Sequence, residues 1–258
     1  MSDADATPPT GGSDHPTVED ATAKEVLGHG DLKPILPGPG ESDYERYLLT
    51  DELLQLQKTP EQMLHRDELL FQTVHQSSEL WLKLAVFETE EAIRQIAADE
   101  LVLAVRMLGR AHHCVIFVTD ALHMLERLSP WEYHEVRKAL GHGSGFDSPG
   151  WKRLRRSAPP LWAAFTALLE RRGLELSDAY VREREHPSVY DVAEALIELD
   201  ERIAIWRSVH VKMVQRVIGG GAVGTQGTPV AVLAGMTTKE LFPQLWAVRN
   251  RLTEIAGT

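Results

Sequence analysis

From His65 to Asp99 the chain reads HRDELLFQTVHQSSELWLKLAVFETEEAIRQIAAD, without a glycine or a proline. Leu64, Phe71, Val74 and Leu82, with the small Ser78 between the last two, recur near the helical period of 3.6 residues. The pattern predicts one long amphipathic helix, opened by Pro60. A helix with one apolar stripe needs other helices to cover it.

The rest of the chain supplies them. YERYLLTDELLQLQ, with Tyr44, Tyr47, Leu48 and Leu54 near one face, reads as helix. LVLAVRMLGRAHHCVIFVTDALHMLERL is another, stopped at Ser129-Pro130, where PWEYHEVRKAL restarts as a short helix. GHGSGFDSPG (141–150) is a loop, and APPLWAAFTALLERRG a further helix. Ser188 is placed to cap VYDVAEALIELDERIAIWRSVHVKMVQRVIG, which Gly219 ends. GGGAVGTQGTP follows as loop, and TTKELFPQLWAVRNRL closes as helix. No alternating strand pattern of useful length and no repeat is present. The expected fold is all-α, a bundle of roughly five long helices plus short ones. Residues 1–41, rich in Pro, Gly, Ser and Asp, are expected to form a flexible arm, and 42–258 one domain.

Charge and composition exclude several classes of function. A formal net charge of -11 has the wrong sign for binding a phosphate backbone, so no nucleic-acid partner is expected. The basic run WKRLRR (151–156) reads as a solvated helix face. No uninterrupted apolar run of about 18 residues suggests a membrane span. The acidic N-terminus has no secretory pattern. The single cysteine, Cys114, gives neither an intrachain disulfide nor a zinc cage, which suits a reducing cytoplasm.

GGGAVG (219–224) matches the glycine pattern of a dinucleotide loop, but a helix precedes it and Pro229 follows, so that reading fails. It is either a flexible linker or a loop that closes over a ligand, with Thr225 and Thr228 offering hydroxyls. Of the eleven histidines, none sits in a zinc motif. His112 and His113 are adjacent and point to different faces. His29, His134, His142 and His186 fall in loops or on polar faces. His75 lies one turn from Phe71 and from Glu79, and His210 shares a row with Trp206, Val214 and Val217. Each could be a satisfied core histidine. Two such residues on two long helices also fit a cofactor site between facing helices, and apolar neighbours without carboxylate or thiolate suit haem better than a bare ion. Tyr133 and Arg137 lie one turn apart. Arg137 could pair with Glu132 or Glu135, or fork onto a ligand carboxylate.

Taken in order, DYERYLLTDELLQLQ, DELLFQTVHQSSELWLKL, PWEYHEVRKALGHGSGF, WRSVHVKMVQRVIG and GTQGT resemble the motifs of the tryptophan 2,3-dioxygenase family, over about residues 42 to 250. That resemblance implies a helical haem enzyme. His210 would be the axial ligand of the iron of haem b, and His75 the distal histidine that meets the indole N–H. Arg137 would hold the substrate carboxylate and Thr225 its polar end, with Phe71 and Tyr133 lining the indole pocket. Tyr44, Tyr47 and Leu48 would reach into a neighbouring subunit of a homotetramer. The implied reaction inserts O2 across the indole C2=C3 bond of L-tryptophan, giving N-formyl-L-kynurenine.

The chain departs from the family at SGFDSPGWKR, where Asp147 stands for the usual Gln, and at Arg66-Asp67-Glu68, where the family has His-Asp-Glu. Related haem enzymes that oxidise a modified tryptophan or another aromatic amino acid, inserting one oxygen or two, are the second reading. A helical haem-binding scaffold without catalysis is the third.

Overall fold

The structure, a computed structural model, describes residues 33–257. The part of the expected arm that precedes residue 33 lies outside the described residues. Packing divides the chain into two compact units after Leu56.

The first unit carries α1 (Asp43–Leu48) and α2 (Thr50–Leu54). A capping box starts α1: the Ser42 hydroxyl accepts the Glu45 N–H at 3.2 Å, and the Glu45 carboxylate accepts the Ser42 N–H at 2.8 Å. Asp43 accepts the N–H groups of Ile35 and Leu36, and Arg46 donates to the carbonyls of Leu36 and Gly40. Leu49, left-handed at φ 52, turns the chain between the two helices. Tyr44, Tyr47, Leu48 and Leu54 are all exposed.

The second unit holds α3 (Glu68–Ala97), α4 (Leu101–Leu125), α5 (Tyr133–Ala139), α6 (Pro149–Arg172), α7 (Asp178–Val181), α8 (Pro187–Ile218), α9 (Val230–Gly235) and α10 (Pro243–Ala256). The described residues are all-α, with one isolated antiparallel bridge, Val223 to Pro229. α4 lies between α3 and α8, and α6 packs on α3. The main core runs through Leu82, Leu108, Leu161, Phe165, Leu196 and Phe242. A smaller cluster of Val74, Leu122, Leu125, Leu128, Met213 and Val217 fills one end. By length and composition α4 could cross a membrane. Here its apolar row (Leu101, Ala104, Leu108, Ala111, Val115, Val118) is buried between its two neighbours.

Several boundaries differ from the sequence expectation, each for a tertiary reason. Pro60 opens only a 3-10 turn, Pro60–Gln62, and the long helix begins at Glu68. The buried Glu68 carboxylate takes the N–H groups of Leu64 and His65 and the Lys58 ammonium, which fixes a turn there. Burial alone would raise its pKa, but these partners hold it below the usual carboxylate range. α6 starts at Pro149 and carries Pro159 and Pro160 inside it, where a loop to 150 and a helix from Ala158 were expected. The Ser148 hydroxyl accepts the Trp151 N–H and donates to Glu79, whose carboxylate also accepts the Gly150 N–H at 2.9 Å. His186, not Ser188, occupies the N-cap position of α8, without a side-chain capping bond, and Ser188 sits inside the first turn. The closing helix begins at Pro243. Its approach is fixed by buried Asp200, which accepts the N–H groups of Leu241 and Phe242 and the Trp246 indole N–H.

Candidate active site

A cavity of about 450 Å³ lies where α3, α5, α6 and α8 meet the 142–148 and 224–228 loops. That volume falls within the usual range of sites for organic ligands. The helix periods place its walls. Phe71, Val74, His75, Ser78, Glu79 and Leu82 follow one face of α3, and Trp206, His210, Met213 and Val217 one face of α8.

His75 stacks on Phe71, ring centroids 4.0 Å apart at 25°. Its Nδ1 is 2.7 Å from the Phe71 carbonyl oxygen. A carbonyl only accepts, so Nδ1 carries the hydrogen. Burial lowers the His75 pKa against the opposing pulls of the Phe71 carbonyl and Glu79, so the ring is neutral near pH 7. Nε2 is therefore left with a free lone pair. Tyr133 tilts toward Phe71 with centroids 6.4 Å apart, and burial raises its pKa, which keeps the phenol protonated.

His210 faces the same cavity from α8. Burial, then the proximity of His75, pushes its pKa down to about 4, so its imidazole is a neutral donor. Trp206 lies nearly parallel to it, centroids 5.0 Å apart at 12°, and Trp151 of α6 lies against Trp206 at 4.1 Å, tilted by 38°. The Trp206 indole nitrogen is buried without a protein partner. Glu79, the carboxylate of the wall, is already engaged by Ser148 and Gly150.

The polar end is built by loops. Arg137 donates from Nη2 to the Val223 carbonyl at 2.7 Å. The Thr225 hydroxyl donates to the Gly143 carbonyl at 2.5 Å, and the Gln226 amide to the His142 carbonyl at 3.1 Å and to Asp147 Oδ2 at 2.6 Å. The glycine-rich segment is a tight turn rather than a linker: the Gly224 N–H reaches the Thr228 carbonyl, and the Val230 N–H the Ala222 carbonyl. Gly227 bends it at φ +77, a conformation glycine adopts freely.

The cavity thus brings together Phe71, His75, Tyr133, Arg137, Thr225 and His210. Tyr44, Tyr47 and Leu48 stand exposed on α1. Arg155 and Arg207 also line the cavity and were not singled out from the sequence. Arg207 donates to the Lys239 carbonyl, and burial draws its pKa down while Asp200 opposes this and Arg155 adds to it. WKRLRR is consequently not a wholly solvated face, because Trp151 and Arg155, one turn apart, face the cavity. For Arg207 the available signal was its place three residues before His210, one turn away on the same side of the helix. His112 and His113 take separate partners, Glu198 and Phe117. Outside the cavity, His65, Asp67 and Glu132 gather potential ligand atoms within 4.8 Å of one another. His65 Nδ1 already accepts the Asp67 N–H at 3.2 Å, as part of the turn before α3.

Residues 38–157 match the family model described as tryptophan 2,3-dioxygenase. The tryptophan 2,3-dioxygenase of Kineococcus radiotolerans is 33% identical, over 90% of this chain and 98% of its own. That of Caulobacter vibrioides is 32% identical over 81% and 98%, and that of Myxococcus xanthus 31% over 86% and 94%. A likeness covering nine-tenths of the chain takes in the helices on both sides of the cavity as well as its loops. The chain belongs to the tryptophan 2,3-dioxygenase family.

Proposed function

We propose that the protein is a haem-dependent dioxygenase that inserts O2 across the indole C2=C3 bond of L-tryptophan, releasing N-formyl-L-kynurenine. The observation that carries this reading is the convergence of two imidazoles, His75 of α3 and His210 of α8, with the Arg137 guanidinium in one largely apolar cavity.

The residues present suit a haem. His210 offers a neutral nitrogen for the iron, the walls are apolar, and there is no thiolate or free carboxylate among the lining residues. Arg155 and Arg207 offer cations to the propionates. Bound there, haem b supplies oxygen activation. The chain's own residues bind and orient the amino acid. His75 Nε2 accepts the indole N–H, held in the right tautomer by the Phe71 carbonyl. Phe71 and Tyr133 cover the ring faces. Arg137 spends one of its five N–H donors on Val223 and keeps a fork for the substrate carboxylate. Thr225 donates to Gly143, so its lone pairs are free to accept from the substrate ammonium.

The catalytic domain is assigned to 42–258, working in the cytoplasm as a homotetramer. Support for association comes from the exposed apolar side chains of α3 and α4, including Trp81, Leu84, Phe87 and Phe117, and from exposed Tyr44, Tyr47 and Leu48, which suit contact with a neighbouring subunit's site. The test is product mass from reduced haem protein, L-tryptophan and labelled O2. Two labelled oxygens in a ring-opened product are expected. One labelled oxygen would move the protein to monooxygenation, and no product with haem bound would remove tryptophan as substrate.

A further inference from the structure

We propose that Asp147 and Gln226 are a matched pair of positioning residues that lock the two cavity loops together over the polar end of the substrate. The assignment rests on reading the cavity as an amino-acid site.

Four hydrogen bonds tie the 222–229 turn to the rest of the rim: Arg137 to Val223, Thr225 to Gly143, and Gln226 to both His142 and Asp147. Two of the four come from one amide, so Gln226 uses both of its N–H donors on the opposite loop. The bond to Asp147 is charge-assisted and short, 2.6 Å, and among the described residues it is the one hydrogen bond between the loops made by two side chains.

Asp147 is itself held in place. Its Oδ2 accepts the Ser144 N–H at 3.3 Å, its Oδ1 lies 3.6 Å from the Lys152 ammonium, and its carbonyl accepts from the same ammonium at 3.2 Å. The acceptor is therefore fixed before Gln226 meets it. Gly143, Ser144, Thr225 and Gln226 all line the cavity. The Asp147–Gln226 pair accordingly sets how close Thr225 stands to Arg137, and hence how well an ammonium and a carboxylate on adjacent atoms are held at once. Neither residue touches the ring end, so their contribution belongs to binding more than to the chemical step.

The experiment compares Asp147→Ala, Gln226→Ala, the double variant and Asp147→Asn as haem-loaded enzymes. It reads L-tryptophan KM and kcat, and hydrogen exchange of the 222–228 amides without substrate. Asp147 is half exposed, so the loss of its bond should raise KM about fivefold, with a smaller fall in kcat. The double variant should be no worse than either single one. Asn keeps an acceptor for the Gln226 amide, so Asp147→Asn should return KM most of the way. Exchange should quicken in both alanine variants and not in Asp147→Asn. Unchanged exchange in the alanine variants, or additive KM effects, would overturn the pair. If the wild-type enzyme does not turn over tryptophan, the functional reading fails, while the exchange arm still decides the lock.

Discussion

Gly150→Ala would drive a methyl group into the close contact between α6 and α3 described above. Gly150 lies in the first turn of α6, buried against α3. A Cβ there would sit 2.5 Å from Leu82 Cβ, 2.8 Å from Glu79 Oε2 and 3.0 Å from Leu82 Cδ1. Carbon atoms in contact want about 3.5 Å or more, so the two helices must part by roughly 1 Å. Neither near atom is the loose end of a flexible chain: Leu82 is 1% exposed, and Glu79 is held by Ser148 and by Gly150 itself. Overpacking of this kind costs about 1–3 kcal/mol. Parting the helices also stretches the Gly150 N–H to Glu79 bond, and a charge-assisted bond is worth about 1.5 kcal/mol at the low end of its range. The sum is about 2.5–4.5 kcal/mol, or a fall in Tm of roughly 5–18 °C for a chain of this size. Thermal unfolding followed by circular dichroism measures it. Gly109→Ala in α4 is the control, because a Cβ there meets nothing within 4 Å. It should stabilise by about 0.5–1 kcal/mol through helix propensity alone. A Gly150→Ala shift below about 2 °C would refute the claim that α6 is seated by close approach to α3.

Asp200→Ala should destabilise by about 3 kcal/mol or more, because three N–H donors of the 241–246 segment lose their acceptor together; denaturant unfolding followed by circular dichroism checks it. His210→Ala should abolish stable haem binding, read as loss of the Soret band, and full retention would remove His210 as ligand. Arg137→Ala should leave haem content normal and raise the tryptophan KM by about tenfold or more, as a bound carboxylate loses its paired donors. A KM at the wild-type level would take Arg137 out of the site.

What the sequence made legible was whatever depends on neighbours along the chain. The α3, α4 and α8 helices declare themselves by period and by the scarcity of breakers, and His75 and His210 stand out because an imidazole on an apolar row needs an explanation. What it hid depends on partners far away in sequence. Nothing near Pro149 says that Glu79 will seat the start of α6, so two prolines and a run of glycines outweighed the helix that forms. Trp151 and Arg155 read as part of a basic face because the cavity they meet is made by α8, more than fifty residues later. The role of the 219–229 segment was undecidable from composition, since a flexible linker and a loop that closes over a ligand use the same glycines. The bonds that separate the two run to His142, Gly143 and Asp147.

Pro159 and Pro160 give α6 a particular place in time as well as in space. Neither can donate to the carbonyl four residues back, and each costs a helix interior about 3 kcal/mol. Left to itself, the segment has no reason to be helical. It becomes so when Leu154, Leu161, Phe165 and Leu168 find the core. The neighbouring α3 and α4 pack on each other across a short connection, so they are expected to form first. The wall bearing Trp151 and Arg155 is thus expected to close last, with the cavity an open cleft until α6 packs over it. Pulse-labelled hydrogen exchange during refolding should accordingly find α3 and α4 amides protected before those of α6.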